Sequence, residues 1–110
     1  VIVLKCVSVL FDYFNYNIKS QKIILSNEFS NSIETEVFNE LSSTIQSYID
    51  TNIDLPDMFN KDGVYRVFTQ IIISIFALNI KESMSINEVG KIEAHRAGHA
   101  YLLSWVNQNS

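Results

Sequence analysis

Polar residues recur at spacings of three and four near the start of the chain, at Lys5, Ser8, Asp12, Asn15 and Lys19. That is the period of a helix surface and not of a strand. The opposite side carries Val3, Leu4, Val7, Leu10, Phe11 and Phe14, which predicts a core face. Residues 20–29, with Ile23, Ile24 and Leu25, suit a short helix or an extended link equally well and are read as a short connecting element. The next segment places Ile33, Val37, Phe38, Leu41, Ile45, Tyr48 and Ile49 on one side, and Asn31 with Glu34 offers a capping box at its start. An amphipathic helix of about five turns is expected there.

Residues 52–63 hold the only proline, Pro56, among several Asp and Asn residues and read as a loop. A third long helix is predicted over about 64–79. It is apolar nearly all round, through Val67, Phe68, Ile71, Ile72, Ile75 and Phe76, as expected for the most buried member of a bundle. Ser85 and Glu88 form a second capping box, after which Ile86, Val89, Ile92, Leu102, Leu103 and Val106 predict the core side of a last helix. Gly90, Ala94 and Gly98 lie four apart on that helix. Glycine inside a helix costs about 1 kcal/mol relative to alanine, so close approach of a neighbouring helix is the favoured reason for them. The expected fold is all-α: one domain, 1–110, a compact bundle of four long helices plus the short connecting element.

Composition agrees with that picture. A 110-residue chain with 47% hydrophobic residues can build one core without staples. Cys6 is the only cysteine and lies among apolar neighbours, so a buried thiol in a reducing, cytoplasmic setting is expected, with no intrachain disulfide. The apolar opening residues lack a basic leader and a small-residue cleavage site, so no signal peptide is expected. Residues 63–80 carry Arg66 and Gln70, and their uninterrupted apolar part falls short of the roughly 20 residues that a bilayer requires. They read as a core helix, with no membrane as partner.

No catalytic constellation emerges. His95 and His99 share one helix side at a spacing that can place two imidazoles on one zinc, but the zinc-protease pattern needs Glu after the first histidine and the residue here is the cation Arg96. No metal and no cofactor are expected. Asp50, Asn52 and Asp54 imitate the opening of a calcium loop, yet Leu55 and Lys61 stand where that loop needs Gly and a bidentate Glu.

Charge is unevenly distributed along the chain. Between Lys22 and Lys61 there is no Lys or Arg, while Glu28, Glu34, Glu36, Glu40, Asp50, Asp54 and Asp57 supply seven negative charges. Glu36, Asn39, Glu40, Ser43, Ser47 and Asp50 lie opposite the apolar stripe of the second long helix. A solvated face is one reading. The other is a docking surface for a basic protein, with Glu36, Glu40, Asp50, Asp54 and Asp57 as partner-binding residues, since opposite charge steers encounter. Direct nucleic-acid binding is not expected, because phosphate recognition needs clustered cations and the eight here are scattered.

A compact acidic helical domain with one cysteine, a composition rich in Asn, Ile and Ser, and no catalytic motif resembles, in general character over the whole chain, the immunity proteins of bacterial toxin systems such as contact-dependent growth inhibition. The resemblance implies a cytoplasmic protein that binds one cognate toxin, often a basic nuclease, and blocks its substrate site. Two rival expectations stand beside it. One is a viral or phage helical adaptor that binds a host protein through an apolar groove, for which an exposed hydrophobic patch would speak. The other is a small enzyme using His95, Arg96 and His99, which would need a pocket joining them.

Overall fold

The structure, a computed structural model, describes residues 2–16, 32–52 and 60–107. They form four helices, α1 (Ile2–Tyr16), α2 (Ser32–Asn52), α3 (Lys61–Ser83) and α4 (Glu88–Asn107), and no strand. The protein is an all-α bundle. The expected connecting element at 20–29 and the Asn31–Glu34 capping box lie outside the described residues, as do the side chains of Ile33, Val37 and Val106.

Helix α3 is the centre of the bundle, packing on α4, α2 and α1. Tyr65, Phe68, Ile72 and Phe76 along it are fully buried, as its nearly uniform apolar surface predicts. It runs past both expected ends. At the start, Asn60 is the N-cap, its side-chain oxygen accepting from the Gly63 N–H at 3.3 Å. At the finish, Met84 takes the left-handed conformation (φ 63°), and its N–H donates to Ile80 O at 2.7 Å.

Asn79, at the expected end of α3, lies inside it, and its side chain has a tertiary partner. Its Oδ1 accepts the Asn87 N–H at 2.7 Å, which joins the end of α3 to the start of α4. Asn87 is also the residue that caps α4. Its Oδ1 accepts from Val89 N at 3.1 Å and Gly90 N at 3.4 Å, so the expected Ser85–Glu88 capping box is replaced by a cap two residues later.

The buried side of α1 is Val3, Cys6, Val7, Leu10 and Phe14. Leu4, expected in the core, is 50% exposed, because the stripe that meets the other helices is centred on Cys6 and Leu10. The larger correction is on α4. Val89, Ile92 and Leu103 were expected inward and are exposed, while Gly90, Ala94, Gly98 and Leu102 are buried. A Cβ on Gly98 would stand 2.9 Å from Phe68 Cε1 and 3.4 Å from Val3 Cγ1, so α4 meets α3 and α1 backbone-close. Close packing within the fold is therefore what the small residues serve, and it turns the larger side chains of α4 outward.

Candidate functional site

Two surfaces have the character of a binding site, and the first is the acidic face of α2. Burial of Ile45 and Ile49 against the bundle fixes the helix rotation and leaves Glu36, Asn39, Glu40, Ser43 and Ser47 exposed. Neither Glu36 nor Glu40 has an ion pair among the described residues.

Asp50 behaves differently. The hydroxyl of the fully buried Tyr65 donates to Asp50 Oδ1 at 3.0 Å, and Lys61 Nζ lies 3.0 Å from the same oxygen. Asp50 thus ties α2 to α3, and Lys61 neutralises it. Burial, and then the hydrogen bond and charge of Asp50, push the Tyr65 phenol above its usual range. Gln46 adds a second link, donating to Asp62 Oδ1 at 3.1 Å. Of the described acids on this face, Asp50 is engaged, and Glu36 and Glu40 are left without an ion pair. Asp54 and Asp57 lie outside the described residues.

Beside these links, Asn39, Ser42, Ser43, Gln46, Asp62 and Arg66 line a polar cleft of about 250 Å³ between α2 and α3. Arg66 sets its guanidinium 5.8 Å from the centre of the Phe38 ring.

The histidines of α4 are brought together, with nearly parallel rings 5.9 Å apart, His95 half-buried and His99 exposed. Arg96 instead pairs with Glu93 at 3.5 Å. None of His95, Arg96 and His99 lines the α2–α3 cleft or the clefts at the two ends of the α3–α4 contact. Among the described residues, no three His, Cys, Asp or Glu side chains gather as a metal site would require. A chelator is expected to leave the melting temperature within about 1 °C of its starting value, since only a ligand of the native state can stabilise it. A fall of several degrees would show that a metal is held.

Cys6 is fully buried on α1, and burial pushes its thiol up from 9.0 to about 11. Its full burial makes it a packing residue. Helix α3 is long and apolar enough to cross a membrane by length and composition, and 56% of its apolar window is buried inside the bundle.

The second surface is apolar and was not foreseen from the sequence. It runs along the contact between α3 and α4, where Val67, Leu78 and Val89 stand exposed. The described residues thus define an all-α bundle with an acidic helix face and an apolar seam. Compared with protein-family models, curated proteins and solved structures, the chain has no match.

Proposed function

We propose that this domain is a protein-binding module of the immunity type, which neutralises a basic toxin domain by covering its substrate site. On this reading it is a binding protein and not an enzyme, and it acts in the cytoplasm, where its lone thiol stays reduced. The observation that carries the reading is the pair Glu36 and Glu40, one turn apart on the exposed side of α2 and without a cation among the described residues. Such carboxylates are available to steer and hold a cationic surface.

The test uses the partner captured from the source cell on the immobilised domain. Glu36→Lys with Glu40→Lys should slow its association by about tenfold or more at low salt and flatten the remaining salt dependence. Asp50 is left intact, because reversing it would break the tie to Tyr65. Lys5→Glu with Lys81→Glu, on exposed sites elsewhere, serves as the matched control. Equal association rates for wild type and the α2 reversals would end the reading.

A second reading is favoured by the apolar seam: an adaptor that takes a partner segment in a groove between helices.

A further inference from the structure

Along α3, Val67, Ile71, Ile75 and Leu78 follow one another at spacings of four, four and three, which puts them on one helix face. In a helix of the core all four would be covered. Here Val67 is 46% exposed and Leu78 56%, with Ile71 and Ile75 half-buried between them. Helix α4 supplies the facing wall. At one end Val67 meets Tyr101 and Trp105 across a cleft of about 310 Å³. At the other, Ile75 and Leu78 face Val89, itself 65% exposed, across a cleft of about 160 Å³.

Asn79 and Gly90 line this second cleft between the two walls. Gly90 has no side chain to fill it. The stripe from Val67 to Leu78 spans eleven helical rises, or about 16 Å of helix, the contact length of a partner helix of three turns. Exposed apolar side chains aligned on one helix face, with polar residues beside them, are what a monomer presents where something docks.

Charge selects the occupant. Glu82 and Glu93 stand at the Leu78–Val89 end. Glu82 has no ion pair among the described residues, and Glu93 has only the exposed pair with Arg96. The whole chain carries a net charge of −4. An anionic lipid surface is repelled by that arrangement, and a second copy of the chain brings the same carboxylates. We infer that the α3–α4 seam is a trough that takes one amphipathic helix of a protein partner, its apolar side on Val67, Leu78 and Val89 and a Lys or Arg beside Glu82 and Glu93. The inference rests on the groove reading and is independent of the α2 face.

Trp105, the sole tryptophan, lies at one end of the trough and reports on its filling. The probes are two synthetic helices of about five turns, both with leucine at the i, i+3, i+4, i+7 positions, one with lysine and the other with glutamate at the flanking positions. The lysine helix should bind saturably, one per chain, and shift Trp105 emission, with the glutamate helix about tenfold weaker or worse. Leu78→Gln with Val89→Gln should weaken the lysine helix about tenfold or more. These side chains are more than half exposed, so the circular dichroism and melting temperature should stay near wild type. Glu82→Gln with Glu93→Gln should weaken it several-fold and flatten its salt dependence. Glu36→Gln with Glu40→Gln, the same change of charge placed on α2, should weaken it by much less, which separates this trough from the acidic face. Any of four results would overturn the inference: both helices binding equally, neither binding, phosphatidylglycerol vesicles shifting Trp105 as strongly as the lysine helix, or a dimer that the Leu78 and Val89 variants abolish.

Discussion

Gly90→Ala should destabilise the fold by about 2 kcal/mol, although alanine is the better helix former by about 1 kcal/mol. The cause is Asn79, buried under the first turn of α4. A Cβ at position 90 would collide with the Asn79 amide, standing 2.7 Å from its Cγ and 3.0 Å from its Cβ. Asn79 cannot simply swing aside, because its Oδ1 holds the Asn87 N–H at 2.7 Å and so positions the residue that caps α4. Forcing a methyl into this contact costs about 1–3 kcal/mol in overpacking, and orphaning a part-buried N–H costs about 1–3 kcal/mol more. These together outweigh the gain in helix propensity.

A double-mutant cycle isolates the contact. Asn79→Ala alone should also cost about 2 kcal/mol, through the lost hydrogen bond and the space left behind. Adding Gly90→Ala to that background should cost nothing, since the obstructing amide is gone and the new methyl enters vacated space. The two substitutions should therefore be coupled by about 2 kcal/mol in urea unfolding. Strict additivity would mean that α4 shifts away from α3 and that the close approach is not required.

The helices themselves were legible because their polar residues keep helical period, as Lys5, Ser8 and Asp12 do on α1. Facing directions were legible only where large side chains fill the interface. On α2, Ile45 and Ile49 turned inward as expected. On α4 the same rule failed, because the interface is built from Gly90, Ala94 and Gly98, and a reading that sends the largest apolar residues to the core necessarily turned Val89, Ile92 and Leu103 the wrong way. That inversion, together with the expectation that α3 is covered all round when Val67 is in fact exposed, hid the apolar seam. The sequence did point to Glu36 and Glu40 as exposed acids, but not to the engagement of Asp50, whose partner Tyr65 is fifteen residues away and on another helix. The cap of α4 was misplaced for a related reason: Asn79 and Asn87 bond to each other across a turn, and local spacing records only the nearer option, Ser85 with Glu88.

Above pH 9 the folded state should lose stability faster than its exposed groups would require, because two buried acids resist ionisation. Cys6 titrates at 9.0 in an open chain and at about 11 in the fold, where burial penalises the thiolate. Tyr65 is raised above its ordinary value near 10, by burial first and then by the hydrogen bond to Asp50 and its charge. Between the unfolded and folded values, the unfolded chain has released the proton and the native chain still holds it. Stability therefore falls as pH rises. Each such group contributes a slope of about 1.4 kcal/mol per pH unit, so Cys6 acts alone from about pH 9 and both act above about pH 10. Below pH 9 the contribution is fully present, and no loss from these groups is expected. Urea midpoints at pH 8, 9, 10 and 11 read the effect. Cys6→Ala should remove the slope between pH 9 and 10 while lowering the baseline slightly through the lost sulfur. Tyr65→Phe should flatten the curve above pH 10. A Cys6→Ala, Tyr65→Phe double variant that lost stability with pH as steeply as wild type would show that neither group is held neutral by burial.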